Sequence, residues 1–305
     1  MGAPDHGSVH RTLVVADMDK SVVREFTEEL LPWLRSRIKH VELQPLLDFQ
    51  SKFEELQSGE DPAPAFDLVI VLGGDGAMLT VVRAFGEQPV PTLGINFGRV
   101  GFLASTPVSH WRETVAGVLA GEGVIEGRMR ISFEIESKRG PASGGVALND
   151  VIVNRAAHQR MLTVSLTVGE TWVTDYRADG LIVATPSGST AYSLSAGGPI
   201  LLPGVGAMLV TPICPQGLAS RPIVLQPDAD LTFELTYASG ITTLVSDGQS
   251  YYPIEPGDRV HLRRHPVPYP LLTMPDLDPY RRLRDRLGWA QPLGNEPSRH
   301  GSLSK

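Results

Sequence analysis

The stretch Gly73-Gly74-Asp75-Gly76 sets one carboxylate among three glycines. It follows Leu68–Leu72, a short apolar run of the kind that forms a strand buried on both faces of a parallel sheet. It precedes Leu79, Val82 and Phe85, an apolar stripe at helical spacing. A strand-to-helix turn of this kind aims main-chain N–H groups and a helix N-terminus at whatever lies above the sheet, which favours an anion such as phosphate. Glycine lets the backbone approach a ligand closely and makes positive φ inexpensive. A carboxylate in a phosphate cradle repels its ligand unless it orients or deprotonates a hydroxyl, or holds Mg²⁺. The alternative for Asp75 is a plain helix cap.

Three further clusters carry polar groups at turns. In Gly94-Ile-Asn-Phe-Gly-Arg-Val-Gly-Phe-Leu103, another strand runs into glycines. There Asn96 offers donors and an acceptor to a sugar or base, and Phe102 offers a flat apolar face, though Phe102 and Leu103 equally suit a core. ALNDVIVNR, residues 147–155, places Asn149 and Asp150 at the start of a strand. RADGLIVATPSGSTAY, residues 177–192, places a strand between Asp179-Gly180 and a loop rich in hydroxyls. Asp150 and Asp179 are candidates for ribose hydroxyls, with an Asx turn as the alternative. Ser187, Ser189 and Thr190 suit either a helix cap or an anion contact. Other chemistries are disfavoured by what is missing: the sequence has no GxxxxGK[ST], no HExxH or Cys/His cluster at zinc spacing, no GxSxG, and no GxGxxG with its downstream acid.

The elements that must position these clusters change character near residue 125. Before it, strands at Thr12–Ala16, Val41–Leu47, Leu68–Leu72 and Val90–Ile95 are interspersed with a helix after Asp17 and another after Gly76, and Ser58–Ala65 reads as a loop. This is the alternation of an open, Rossmann-like α/β sheet, whose ligands bind beyond the carboxyl ends of the strands. After it, Ile131/Phe133/Ile135, Leu162/Val164/Leu166/Val168 and Leu231/Phe233/Leu235 alternate with polar residues, as antiparallel strands of a β-sandwich-like domain do. We therefore expect an α/β domain over 10–124, a β-rich domain over 125–275, and disordered tails at 1–9 and 291–305. The 305 residues, 42% hydrophobic, suffice for two cores. A net charge of −7 argues against a nucleic-acid partner. One cysteine, Cys214, and no apolar run of membrane-spanning length lead to a cytoplasmic, non-membrane expectation.

Together, GGDG, Asn96-x-Gly98-x-x-Gly101-Phe102-Leu103, Leu148-Asn149-Asp150 and Asp179-Gly180…Thr185-Pro-Ser-Gly-Ser-Thr-Ala-Tyr192 resemble the NAD kinase family. They stand in family order, and Thr211–Pro215, Arg221-Pro222 and Asp247-Gly248 agree with it. The resemblance covers roughly residues 66–255, and its TPSGSTAY segment is more specific than GGDG. It implies ATP-dependent phosphorylation of the 2′-hydroxyl of the adenosine ribose of NAD⁺ to give NADP⁺. It further implies Mg²⁺ carried on the nucleotide phosphates and a homodimer or homotetramer. Asp75 matches the catalytic aspartate. Gly74, Gly76, Asn96 and Phe102 fall in the matching loops, with Gly76 and Phe102 lining the adenosine site. Asn149, Asp150 and Asp179 match dinucleotide contacts, and Thr190, Ala191, Tyr192 and Ser195 match residues of the adenine or nicotinamide pockets, in part from a neighbouring subunit.

Departures from the family pattern are Asp150 where glutamate is usual, shorter by about 1.5 Å of reach, Ser187 for threonine, Ala178 for glycine, and Gln216 for a frequent histidine. The stretch 278–289 carries Tyr280, Leu283 and Leu287 on one face and Arg281, Arg282, Arg284 and Arg286 around the others. A helix docked on one of the domains is the expected explanation, and a phosphate site built from its arginines the lesser one, because charge runs are usually solvated. Two rival functions stand beside the kinase: a GGDG-type lipid or sphingoid-base kinase, and a non-catalytic NAD(H)-binding sensor.

Overall fold

The computed structural model describes residues 9–49, 51, 65–98, 101–137, 140–156, 159–240, 242–275 and 279–288. The expected tails (apart from Val9), the loop over Ser58–Ala65 (apart from Ala65) and the side chains of Arg281 and Arg282 lie outside the description.

The first sheet is built from β1 (Arg11–Ala16), β2 (His40–Pro45), β3 (Leu68–Leu72) and β4 (Thr92–Asn96), all parallel, with the short β5 (Thr106–Pro107) beside β4. Side chains alternate across it, so each apolar strand feeds two cores. Val14, Leu68, Ile70, Leu72 and Ile95 pack against α1 (Ser21–Arg35) and α3 (Trp111–Leu119), whereas Leu13, Val15, Val69 and Val71 pack against α2 (Asp75–Phe85). Burial on both faces is why β3 is an unbroken apolar run.

Two strands depart from the expected boundary. Val124–Arg128 (β6) and Tyr269–Thr273 (β19) do not join the β-rich half; β19 pairs parallel to β4 and β6 pairs antiparallel to β19. The sheet order is β2-β1-β3-β4-β19-β6. The reason is edge coverage: β5 pairs only the Ile95–Asn96 end of β4, so the strand would otherwise present unpaired backbone groups near Thr92, and the buried Leu271 and Leu272 of β19 feed the two cores of this sheet. Residues 125–275 are thus not one unit, and the polypeptide leaves the α/β sheet after β6 and returns to it at β19.

Between those crossings lie two antiparallel sheets. One runs β11 (Thr171–Ala178), β10 (Leu162–Val168), β15 (Leu231–Tyr237), β18 (Arg259–Arg264), β7 (Ile131–Glu136), β8 (Ser143–Ala147). The other runs β14 (Ile223–Leu225), β13 (Met208–Ile213), β12 (Gly180–Ala184), β9 (Asp150–Arg155), β16 (Thr242–Ser246), β17 (Ser250–Ile254). They sandwich one core: Phe133, Val164, Phe233 and Leu262 meet Val153, Leu181, Val183 and Val210. The outer face of β9, β12 and β13 is also covered, by Ala196 and Leu201 over Ile152, Ile182 and Leu209. That cover is the segment following β12, which contains the one-turn helix α4 (Tyr192–Ser195) and folds back across the sheet. A last helix, α5 (Pro279–Leu287), follows β19.

Candidate active site

Asp75 opens α2 but does not cap it; the cap position is Gly74, with no side-chain cap bond. Its carboxylate turns instead to the loop after β4 and accepts three consecutive main-chain N–H groups. Oδ2 receives Phe102 at 2.9 Å, and Oδ1 receives Leu103 and Ala104 at 3.0 Å each. The capping alternative therefore fails, and the loop is held from a distance of 27 residues or more. The close approach explains Gly101, because a Cβ there would stand 1.9 Å from Asp75 Oδ1. The motif glycines serve different ends. A Cβ on Gly73 would meet that of Ala77 at 2.7 Å, whereas Gly74 and Gly76 have nothing within 4 Å. None of the three has positive φ, so open approach, not turn conformation, is what Gly74 and Gly76 provide.

A second carboxylate does the same at the end of β16 in the β sandwich. Asp247, buried and at φ +50°, accepts N–H groups from Leu148 (2.8 Å), Asn149 (2.7 Å) and Asp150 (3.1 Å). This fixes Asn149 and Asp150 at the entrance to β9. Asp150 is 3% exposed; burial, then the nearby Asp247 charge, push its carboxyl up to about 7, and the Tyr192 N–H works against them. Burial raises Asp247 as well, opposed by its three amide donors and by Arg83. The turn carrying Asp247 reaches the first domain: Gln249 Nε2 donates to Gly76 O at 3.1 Å and to Thr80 Oγ1 at 3.2 Å, and Arg83 donates to Ser250 Oγ at 3.3 Å. The glycine loop and the Asn149 turn are therefore tied to one another across the domains.

The segment after β12 packs onto that turn. A Cβ on Gly188 would lie 2.0 Å from Asn149 O, and Thr185 Oγ1 donates to Leu148 O at 2.6 Å. Most of its hydroxyls are spent internally. Ser189 bonds Pro186 O and both backbone groups of Leu201, Thr190 bonds Ser187 O, and Ser193 bonds Thr211. The helix-cap and anion-contact readings both give way, for Ser189, to a loop-closing role. Ser187 and Thr190 still border a cavity shared with Phe102, Arg128, Leu201, Leu202 and Leu283. About 30 Å³ of it is free, the room of about one water. Phe102 thus lies on the cleft while Leu103 is core.

The remaining candidates divide. Asn96 is buried, and its Oδ1 accepts the Gly98 N–H at 2.8 Å, shaping the loop that Asp75 grips. Ala191, Tyr192 and Ser195 follow Thr190, with Tyr192 and Ser195 exposed. Asp179 stands apart, since register pairs Gly180 with Asn154 and Ala184 with Asp150, placing Asp179 and Asp150 at opposite ends of the same strands, roughly 17 Å apart at ordinary strand rise. Asp179 Oδ1 accepts from Arg155 Nε at 2.6 Å instead. Sequence reasoning gave no role to Gly101, Asp247, Gln249 or Arg128, and weighed least the arginines of α5. Yet Arg286 lies 3.5 Å from Asp75 Oδ2, with its guanidinium 5.6 Å from the centre of the Phe102 ring. Among the described residues no three His, Cys, Asp or Glu side chains gather to hold a metal ion. No helix among them is long and apolar enough to cross a membrane.

An α/β sheet with an open glycine turn at the start of α2, set beside a carboxylate and tied to a β sandwich, suits a ligand that carries phosphate. Comparison narrows the class. Residues 12–123 match the family model of the ATP-NAD kinase N-terminal domain and residues 148–274 that of its C-terminal domain. An NAD kinase of Magnetococcus marinus is 35% identical over 288 residues, 93% of this chain and 95% of that one. One of Nitrosospira multiformis is 42% identical over 224 residues, 73% and 76% of the two chains. The crystal structure of an Archaeoglobus fulgidus NAD kinase in complex with ATP superposes with a TM-score of 0.67 at 25% identity, covering 91% of this chain and 97% of that one. A yeast NADH kinase complexed with NADH shares the fold, with a TM-score of 0.84 at 22% identity over 97% and 95% of the chains. The chain belongs to the NAD kinase family, phosphotransferases with ATP as phosphoryl donor.

Proposed function

We propose that the cleft transfers the γ-phosphoryl group of ATP to the 2′-hydroxyl of the adenosine ribose of NAD⁺, giving NADP⁺, with Asp75 as the base beside that hydroxyl. The observation that carries this reading is the fixed Asp75 carboxylate. Three amides of the 102–104 loop pin it next to Phe102, whose side chain shares a cavity with Thr190. The bond that forms is ribose O2′–Pγ, the bond that breaks is Pγ–O to the β-phosphate, and the hydroxyl proton passes to Asp75 while ADP leaves. Such transfer needs positioning and charge stabilisation more than covalent chemistry.

Several placements support the division of labour. The open space above Gly74 and Gly76, at the N-terminus of α2, suits phosphate oxygens meeting main-chain N–H groups. Phe102 offers a face for adenine, and Asn149 and Asp150, held by Asp247, are set for ribose hydroxyls. Asp75 already accepts three N–H groups, which argues against a further role as a direct metal ligand; Mg²⁺ then comes with the ATP phosphates, neutralising charge there. Pockets for ligands of this size run to hundreds of Å³, so the cleft must widen at Leu283 and Leu201–Pro203 to admit a dinucleotide. Asp179, at the far end of β12 from Asp150, is placed to serve the dinucleotide of a second copy in a homodimer or homotetramer. A cytoplasmic location fits the single thiol, Cys214.

The test is direct: incubate the protein with ATP, Mg²⁺ and NAD⁺ and measure NADP⁺. NADP⁺ formation is the expected result. Binding of NAD⁺ without product from NAD⁺ or NADH would favour a sensor, and a phosphorylated lipid would favour the lipid-kinase rival.

A further inference from the structure

The three amides of the 102–104 loop are spent on Asp75, and the glycine turn carries no basic side chain. Beside the Mg²⁺ that the phosphates bring, the protein would therefore offer the phosphoryl group in flight only one carboxylate and the N-terminus of α2, a poor balance for a centre that gathers negative charge on its equatorial oxygens. A cation is nevertheless present. Arg286 Nη2 lies 3.5 Å from Asp75 Oδ2, and its guanidinium lies 5.6 Å from the Phe102 ring centre. It comes from α5, which is docked by Leu283, 5% exposed, against the cavity that Phe102 lines. Residues 283 and 286 stand three apart and so share a helix face. One face thus anchors in the cleft and presents a guanidinium to Asp75. The Arg286 side chain remains 32% exposed and the Asp75 side chain 25%, so the pair opens toward incoming ligands instead of being sealed in a core.

We propose that Arg286 is a catalytic residue of this site, the cation that contacts the γ-phosphoryl group during transfer. The inference rests on the kinase reading above and adds to it a group from outside the two matched domains. In the structure the guanidinium sits beside Asp75. When ATP enters, its phosphate oxygens offer a planar fork a better bidentate partner at similar range. Passing from carboxylate to phosphate, Arg286 uncovers Oδ2 for the ribose hydroxyl and stabilises the charge that builds as O2′–Pγ forms and Pγ–O breaks. The same move couples the two substrates: Asp75 is available to the hydroxyl once the phosphoryl donor has drawn the arginine away.

The experiment compares wild type, Arg286→Ala and Arg286→Lys in steady-state NADP⁺ formation, with ATP and NAD⁺ each varied, alongside NAD⁺ binding by titration calorimetry and thermal melting. Arg286→Ala is expected to lower kcat by about 10²-fold or more and to raise KM for ATP, while NAD⁺ affinity stays within about three-fold. Arg286→Lys, which keeps the charge but not the fork, recovers part of kcat, and added guanidinium ion restores part of the activity of Arg286→Ala. Turnover of Arg286→Ala at or above the wild-type rate would overturn the proposal and make α5 a plug. Parallel loss of NAD⁺ affinity and melting temperature without rescue would also overturn it, leaving the residue a structural clamp. A wild-type chain that makes no NADP⁺ would fail the kinase reading itself, a result distinct from both.

Discussion

Gly101 is the most exposing test of how the site is held, because its substitution changes one contact and little else. Its backbone is not in the left-handed region, so alanine brings no conformational strain of its own. The added Cβ would lie 1.9 Å from Asp75 Oδ1 and 2.6 Å from Cγ, so the carboxylate or the loop must move by about 1 Å or more to reach ordinary contact. That motion pulls Asp75 away from the Leu103 and Ala104 amides. Hydrogen bonds to a charged group contribute about 1.5–3 kcal/mol each, and partial rehydration of the quarter-exposed carboxylate offsets some of it. A net loss of about 3 kcal/mol, or about 5 °C in melting temperature, is expected. A base displaced by about 1 Å should cost turnover on the order of 10²-fold. Steady-state NADP⁺ formation and a thermal melt of Gly101→Ala read both effects. Gly98→Ala is the control, since its Cβ would find Asn96 Oδ1 at an ordinary 3.7 Å. Wild-type turnover and melting in Gly101→Ala would refute the account of Asp75 as an amide-pinned base.

Other expectations follow from the same contacts. Asp75→Asn should leave NAD⁺ binding within a few-fold and lower turnover by about 10² or more, measured by calorimetry and coupled assay; full activity would remove Asp75 from the mechanism. Asp247→Ala strips the acceptor from three amides, two of them buried, and should lower stability by about 3 kcal/mol or more while weakening NAD⁺ binding, read by denaturant melts and calorimetry. Asp150 has a folded-state pKa raised from 3.8 to about 7, so it favours the fold when protonated. The stability it contributes is present below about pH 4 and is lost as pH rises through about 7. Asp150→Asn should therefore gain up to about 4 kcal/mol at pH 8 and little at pH 4, seen as a flatter melting-temperature profile against pH.

Much of the fold was legible because it was written locally. Leu68–Leu72 and Leu181–Ala184 are apolar at every position, the mark of strands covered on both faces, and Phe133, Val164 and Phe233 alternate because their strands face water on one side. The glycine turn at Asp75 and the entrance of β9 at Asp150 were equally readable. What escaped was non-local. Nothing around residue 101 announces that Asp75 will lie against it, and nothing around Asp247 marks it as the acceptor for amides 97 or more residues earlier. β6 and β19 were misplaced for the same reason, since the partner that each completes stands elsewhere in the chain. Arg286 sat in a charge run whose usual fate is solvent; the apolar stripe with Leu283 marks a docking helix, but not that docking would bring Arg286 to Asp75. Asp179 shows the converse: its motif was plain, but its distance from Asp150 is fixed by strand register, which the motif does not encode.

The late return of β19 bears on how the molecule is made. During synthesis the outer flank of β4, apart from the Ile95–Asn96 end that β5 pairs, stays uncovered until residue 273 has left the ribosome, some 150 residues after β6 has emerged, on the order of ten seconds at ordinary elongation rates. The nascent α/β half cannot mature as an independent module in that interval. It offers an open strand border to neighbouring chains, and cutting the gene at the visible change of pattern would leave that border permanently bare.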